Sequence, residues 1–230
     1  MKTNRFPLRS MCAALVLAAA GSASAATVAW TDWTFLSTDL RTASGTMGGV
    51  GVSVNAGNPM DGVSQLSGPG NCINYWTQPV PADAAYTGGS VGNAPTACEQ
   101  LGLSSANSIT VNFSSAVGVL YMALLSVGQN GLPVTYDFNQ AFTIDSEGGG
   151  YWGNDGTDGV LGAGDSLTMR EFHGVLRFNA PVTSITFTTT AENWHAFTFG
   201  SAAAVPEPTS LALVGAALLA AGAAARRRKA

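Results

Sequence analysis

Lysine is missing from the whole middle of this chain, and arginine is scarce there. Between residues 26 and 204, three arginines stand against thirteen acidic residues, which leaves a formal net charge of minus ten, whereas the complete chain carries minus four. Seven of the ten cations lie in the two end segments. A region this acidic does not bind nucleic acid through phosphate neutralisation and is poorly suited to anionic lipid surfaces. Divalent cations and neutral sugars remain open as partners.

Common catalytic motifs are also absent. The sequence has no Gly-x-Ser-x-Gly elbow, no His-Glu-x-x-His zinc motif, no phosphate-binding loop and no Cys-x-x-Cys pair. We therefore expect a protein that is not an enzyme.

Cysteine is used sparingly. Cys12 lies close to the N-terminus, and Cys72 and Cys98 are the other two. In an oxidising compartment we expect Cys72 and Cys98 to form one disulfide, which would stabilise the fold by about 3 to 4 kcal/mol on the chain-entropy model. The alternative is two free, buried thiols.

No convincing amphipathic helix is found between residues 26 and 204, but short runs with strand periodicity are frequent. In the run 184–188, for example, Ile185 and Phe187 alternate with Ser and Thr. Turn-forming Gly, Pro, Asn and Asp separate these runs. The pattern predicts one all-β domain over 26–204, a single antiparallel, jelly-roll-like β-sandwich. The predicted strands are 28–35, 49–54, 108–113, 117–127, 134–138, 141–144, 166–169, 175–178, 182–189 and 194–199.

The N-terminal end is typical of a secretory signal peptide. Lys2, Arg5 and Arg9 precede the apolar stretch 11–20, and the small residues Ala23 and Ala25 follow with the spacing of a cleavage site. We expect signal peptidase to remove residues 1–25, which would form the signal helix.

The C-terminal end, residues 205–230, has three parts in a fixed order. Val205, Pro206, Glu207 and Pro208 come first, and an uncharged run over 211–225 follows. Four cations then stand next to the end of the chain: Arg226, Arg227, Arg228 and Lys229. Fifteen helical residues span about 22 Å, a short membrane crossing, and the cations would stay on the cytoplasmic side. On these grounds the segment is either a protease-accessible sorting tail or an ordinary membrane anchor.

This order of Pro-Glu-Pro, short apolar helix and basic end resembles the PEP-CTERM sorting signal of Gram-negative bacteria. The resemblance implies that the chain is held transiently in the inner membrane, that exosortase processes it near the motif, and that the body reaches the cell surface or the extracellular space. Members are commonly associated with exopolysaccharide and biofilm matrix. Residues 167–200 also resemble the C-terminal half of the body in many proteins with this tail.

Three groups of residues could carry chemistry, and the first is a Gly- and Asp-rich loop at 153–159. Asp155 and Asp158, with Asp165 beyond the loop, could surround a hard cation such as Ca²⁺. The spacing is not that of an EF-hand, and Asp with Gly is also ordinary turn chemistry. We expect no cofactor unless Ca²⁺ binds here.

The second group contains both histidines of the chain, each near a carboxylate. Glu171 and His173 are two residues apart and would share a face of a strand, whereas Glu192 and His195 are three apart and would not. Neither segment has the spacing of a known zinc motif. Packing or capping of sheet ends by these side chains is the alternative to a catalytic pair of carboxylates.

The third group consists of aromatic residues that could stack on sugar rings. Tyr75 and Trp76, and Tyr151 and Trp152, lie in predicted loops, which favours them over Trp194 on a predicted strand. Trp30 and Trp33 complete the group. Core packing is the alternative for all of them.

Two functions are compatible with these patterns. The first is an exported, non-catalytic surface or matrix protein that contacts extracellular polysaccharide. The second is a secreted hydrolase or lyase acting on polysaccharide, or a carbohydrate-binding module, on the same β-sandwich.

Overall fold

The computed structural model describes residues 25–67, 72–77, 85–152, 159–162, 164–179 and 181–202. Residues 1–24 of the predicted signal helix, the C-terminal tail, and Asp155 and Asp158 lie outside these ranges. Strands dominate the described residues, with one 3-10 turn at Ser64–Ser67. The strands are β1 Val28–Trp30, β2 Asp32–Leu36, β3 Thr42–Met47, β4 Val50–Ala56, β5 Gly62–Val63, β6 Leu101–Leu103, β7 Asn107–Val117, β8 Leu120–Val127, β9 Val134–Phe138, β10 Thr143–Glu147, β11 Gly159–Leu161, β12 Ser166–Met169, β13 Phe172–Phe178, β14 Val182–Thr189 and β15 His195–Ala202.

The strands form two sheets, and every pairing between them is antiparallel. The first sheet has the order β10-β13-β8-β15-β6-β5, with β1 also paired to β15. The second has the order β11-β12-β9-β14-β7-β4-β3-β2. This all-β architecture of two antiparallel sheets confirms the predicted fold class, whereas jelly-roll connectivity stays a prediction.

The inner faces of the two sheets enclose one hydrophobic core. Alternation places Ile185 and Phe187 of β14 in it, as the sequence predicts, opposite Phe197 and Phe199 of β15. All four side chains are buried. At about 25 cal/mol per Å² of apolar surface removed from water, this core is the main favourable contribution to folding.

A second hydrophobic cluster covers the outer face of the first sheet. Trp76 and Tyr86, from the segment between the two cysteines, pack there with Tyr121 and Leu125 of β8. Strand β8 is therefore buried along both faces, which explains why its sequence is an unbroken apolar run rather than an alternating one. This outer layer is what holds the Gly- and Pro-rich segment against the sandwich.

The predicted disulfide closes the same segment. Cys72 and Cys98 are bonded, with their Cα atoms 5.2 Å apart. No helix in the described part of the chain is long and apolar enough to cross a membrane.

Candidate functional site

A cavity of about 220 Å³ opens at one end of the first sheet. Because β8 is antiparallel to both β13 and β15, its C-terminal end lies beside the N-terminal ends of these two neighbours. Residues far apart in the sequence meet at this end of the sheet. The lining residues are Ser126, Gln129, Trp152, Glu171, Glu192, Asn193 and Trp194.

The backbone around this cavity is unusual at two positions. Ser126 has a φ of 53° and Glu171 a φ of 61°, values that residues other than glycine rarely adopt. The register between β13 and β8 also shifts between Phe172 and Gly174, as in a β-bulge. The hydroxyl of Ser126 donates a hydrogen bond to Oε1 of Glu171. The irregular backbone thus brings two polar side chains together at the cavity wall.

His173 connects Glu171 to the outer layer. Nδ1 of His173 lies 2.9 Å from the hydroxyl of Tyr86, and the backbone N–H of Ser126 donates to the same nitrogen at 3.4 Å. Because Nδ1 accepts, we place a proton on Nε2, which lies 3.5 Å from Oε1 of Glu171. The four side chains form a polar chain from the protein interior to the cavity.

The pKa values of Glu171 and Tyr86 are shaped by burial and by contacts within this polar chain. Burial raises the pKa of Glu171, but the hydrogen bonds from His173 and Ser126 and the electrostatic interaction with His173 together outweigh burial and lower it. Burial, and then the charge of Glu171, raise the pKa of Tyr86 well above its ordinary value. At neutral pH, Glu171 is therefore an anion and Tyr86 a neutral phenol that donates to His173.

Glu192 and His195 form a second, more deeply buried pair. Oε1 of Glu192 lies 2.7 Å from Nδ1 of His195 and accepts a 2.7 Å hydrogen bond from the backbone N–H of Gly128. The expectation that these two side chains would point apart is wrong, because Glu192 precedes β15 and strand periodicity does not apply to it. The pair ties the loop before β15 to the turn after β8, and so fixes Asn193 and Trp194 beside the cavity.

Four rings, which we call the aromatic cluster, adjoin the cavity: Tyr75, Tyr151, Trp152 and Trp194. Tyr75 stacks on Trp152 with ring centroids 5.0 Å apart and meets Tyr151 edge-on at 4.8 Å. The rings of Trp152 and Trp194 lie 5.8 Å apart. Trp152 is 47% exposed, so part of its indole remains available to a ligand. Three of the four predicted sugar-contacting residues therefore meet in one place.

Trp76 is the fourth, and its position does not suit sugar contact. Its ring is fully buried in the outer hydrophobic cluster, edge-on to Tyr86 with centroids 5.0 Å apart. Trp30 and Trp33 are buried as well. Trp194, which the sequence disfavoured, lines the cavity instead.

Trp194 also lines a second cavity of about 360 Å³, together with Asp61, Ser64 and Leu66. A Cβ atom at Gly102 would come within 2.9 Å of Nε1 of Trp194, so the glycine leaves room for the indole. Trp194 thus lines both cavities, and we call the two cavities together the cleft.

The calcium prediction rests mainly on residues outside the described ranges. Asp165 is described and partly buried, and its backbone carbonyl accepts a hydrogen bond from Phe138. Among the described residues, no group of three or more His, Cys, Asp and Glu side chains is placed to hold a metal ion. A calcium site at Asp155, Asp158 and Asp165 stays a prediction.

Sequence reasoning missed Ser126, Gln129 and Asn193 as lining residues, and Tyr86 as the partner of His173. Asn193 carried the strongest available signal, since it stands between Glu192 and Trp194, both already singled out. The other three are brought to the site by sheet pairing and by the outer layer, which no local pattern shows.

Comparison with known proteins identifies the C-terminal end. A family model described as the PEP-CTERM protein-sorting motif matches residues 204–229, which confirms the resemblance of the tail. The motif indicates an exported protein that is membrane-anchored during sorting and processed by exosortase before release at the cell surface. Searches of curated proteins and of solved structures found no match. The resemblance over 167–200 stays a prediction.

Proposed function

We propose that this exosortase-sorted chain is a non-catalytic cell-surface or extracellular-matrix protein that binds exopolysaccharide, as in a biofilm, through the aromatic cluster and the cleft beside it. The observation that carries the proposal is the position of Trp152 and Trp194. Their rings lie near each other in the wall of a cavity that is also lined by amide and carboxylate side chains.

The composition of the cleft suits a sugar. Flat aromatic faces stack on the apolar C–H surfaces of pyranose rings, while amide and carboxylate groups bond the hydroxyls. Gln129, Asn193 and Glu171 supply such groups beside the two indoles. Because Trp194 lines two cavities, a chain of sugars that contacts this ring and occupies both suits the site better than one enclosed small molecule.

The state of the carboxylates favours binding over hydrolysis. A glycosidase needs one carboxylic acid that keeps its proton near neutral pH, which requires a raised pKa. The pKa of Glu171 is lowered instead, and Oε1 of Glu192 already accepts a hydrogen bond from Gly128 and contacts His195. These contacts support a structural and binding role for both residues.

Affinity electrophoresis in polysaccharide gels tests the binding function. Trp152→Ala should reduce the retardation and weaken affinity by about twofold to tenfold, since one aromatic contact contributes about 0.5–1.5 kcal/mol. Phe35→Ala is the matched control, because Phe35 is 49% exposed on β2 of the other sheet. Unretarded migration of the wild-type protein across acidic, neutral and amino-sugar polymers would count against the proposal.

The second candidate is a polysaccharide hydrolase or lyase, which two carboxylates at one cavity motivate. Incubation with the same polymers and assays for new reducing ends or unsaturated products separate the two functions. If the wild type forms such products and Glu171→Gln does not, the protein is an enzyme. The proposed binding function predicts no products from either protein.

Fractionation of the host tests the sorting step. In cells without exosortase, an uncleaved form of the chain should accumulate in the membrane, and in wild-type cells the processed body should reach the surface or the medium. Identical distribution in both strains would refute exosortase dependence.

A further inference from the structure

We propose that the polysaccharide bound in this cleft is an amino-sugar polymer that carries free ammonium groups, as in a deacetylated glucosamine chain. This inference rests on the proposed glycan-binding function and names the class of sugar. It follows from the charge of the cleft, from its aromatic rings and from the presence of an acidic residue in each of its two cavities.

The cleft is anionic. Glu171 supplies the exposed charge of the smaller cavity, since Glu192 in the same lining is only 3% exposed and contacts His195, and none of the described lining residues is a cation. The hydroxyl of Ser126 and the imidazole of His173 hold Glu171 in the ionised form, and its side chain is 24% exposed, so the charge is accessible from the cavity. A uronic acid or a sulfated sugar would be repelled here, because like charges in a poorly solvated site disfavour binding.

Aromatic faces next to this charge favour a cation over a neutral group. An ammonium group over an indole face is attracted by the ring quadrupole, and a nearby carboxylate adds a charge-assisted hydrogen bond. The indoles of Trp152 and Trp194 share the cavity with Glu171, which places both kinds of partner within one site. An acetamide group at the same position on the sugar would keep the stacking and lose both ionic contributions.

The larger cavity of the cleft is also acidic. Asp61 lines the larger cavity, and its Oδ1 accepts a hydrogen bond of 2.8 Å from the hydroxyl of Ser104. A polymer that occupies both cavities therefore meets a carboxylate in each of them. This arrangement suits a chain in which more than one sugar carries an ammonium group.

Titration calorimetry on the exported protein, purified from its host, tests this inference on the ligand side. The probes are glucosamine oligosaccharides with free amines, fully N-acetylated oligosaccharides of the same length, glucose oligosaccharides and a lysine oligomer. The free-amine sugar should bind about tenfold more tightly than the N-acetylated one, a ratio that corresponds to roughly 1.4 kcal/mol.

The outcomes are distinct. Equal affinity for free-amine, N-acetylated and glucose oligosaccharides would overturn the ammonium assignment and leave the glycan-binding function standing. Binding of the lysine oligomer as tight as that of the free-amine sugar would overturn the assignment to a sugar. Absence of binding by every oligosaccharide would remove the proposed function itself.

Glu171→Gln tests the same inference on the protein side. This change keeps the size of the side chain and an oxygen acceptor for Ser126 but removes the charge, so the preference for free amines should fall toward unity while affinity for the N-acetylated sugar is kept. Asp137→Asn is the control, because it removes one exposed charge from β9 on the other sheet. An unchanged preference in Glu171→Gln with a native melting temperature would overturn the role of this carboxylate, and the ligand series decides the case if the variant does not fold.

Discussion

At the scale of single residues, the backbone of Gly150 lies directly against the imidazole of His173. A Cβ atom at Gly150 would overlap the ring, whereas Gly118 has open space around it. The glycine is therefore part of the wall that fixes His173, and it immediately precedes Tyr151 and Trp152 of the aromatic cluster.

Gly150→Ala should consequently displace either the ring of His173 or the loop that carries Trp152. We expect a loss of about 1–3 kcal/mol in the free energy of unfolding, typical of overpacking at a buried position, together with weaker glycan binding. Denaturant titration and calorimetry measure the two effects. Gly118→Ala serves as the control and should leave binding unchanged. A Gly150→Ala protein with wild-type stability and affinity would contradict the close contact between Gly150 and the ring of His173.

Ser126 is expected to control the pH dependence of stability through Glu171. The folded-state pKa of Glu171 lies below the ordinary value of 4.5, so its contribution to stability is present above about pH 4.5 and is lost as the pH falls through the folded-state value. Ser126→Ala removes one hydrogen bond that lowers this pKa. The folded-state pKa of Glu171 should therefore rise. As the pH is raised from about 3 to about 6, the free energy of unfolding should increase less for the variant than for the wild type.

Denaturation midpoints measured across this range test the effect. Ser126→Gly is the matched variant, because it loses the same hydrogen bond but suits the φ of 53°. It should be more stable than Ser126→Ala by about 1 kcal/mol, with the same pH dependence. If the difference in stability between the wild type and Ser126→Ala is constant with pH, the link to Glu171 is excluded.

At the scale of elements, the local sequence pattern was sufficient to predict a strand where one face of the strand is apolar and the other is polar. The bounds of β9, β12 and β14 agree with the sequence prediction. Strand β3 was missed because its inward residues include Ala43 and Gly45, which are too small to give an apolar signal. The single predicted strand over 28–35 is divided at Thr31, whose N–H and hydroxyl both donate to the carbonyl of Phe199 as the chain passes between sheets.

The sequence indicated individual residues of the site but not that they lie together. Glu171, Glu192 and Trp152 were each singled out, but their meeting depends on the pairing of β8 with β13 and β15, which joins distant parts of the sequence. Trp76 and Trp194 were ranked in the wrong order because flanking residues do not report burial. Local sequence patterns do not show which distant strands pair or which residues the outer layer buries.

The outer layer depends on one covalent bond. Cys72 and Cys98 are 26 residues apart, and the segment between them carries Tyr75 of the aromatic cluster as well as the buried Trp76 and Tyr86. Opening the bond frees a long loop in the unfolded chain and loosens the layer in the folded one.

Replacing both cysteines by serine should therefore lower the free energy of unfolding by about 3–4 kcal/mol on the chain-entropy model. Glycan affinity should fall as well, because Tyr75 would no longer be held against Trp152. Melting curves and calorimetry of the variant measure the two losses, and reductant added to the wild type should reproduce both. Reductant added to the double variant is the control and should have no further effect. Unchanged affinity would show that the disulfide does not position the cluster.

At the scale of the whole molecule, charge is separated along the chain. The region 26–204 carries minus ten in formal charge, while Arg226, Arg227, Arg228 and Lys229 follow the apolar run of the tail. Cationic residues near an apolar span stay on the cytoplasmic side, and the acidic region would then stand outside the membrane. Processing by exosortase would separate these two charged parts and leave a strongly anionic body at the surface.

Folding and sorting should accordingly be separable. Both hydrophobic clusters of the described residues are built from positions 28–202, and the sorting motif begins at 204. Deleting residues 204–230 should therefore leave a single cooperative melting transition and wild-type glycan affinity, because the two sheets share one core. The truncated chain should no longer depend on exosortase for its distribution between membrane, surface and medium. Calorimetric melting and fractionation of both strains measure these properties, with the full chain as the control. A broadened or lowered transition after truncation would show that the tail takes part in the fold, and exosortase-dependent distribution of the truncated chain would place the sorting information elsewhere.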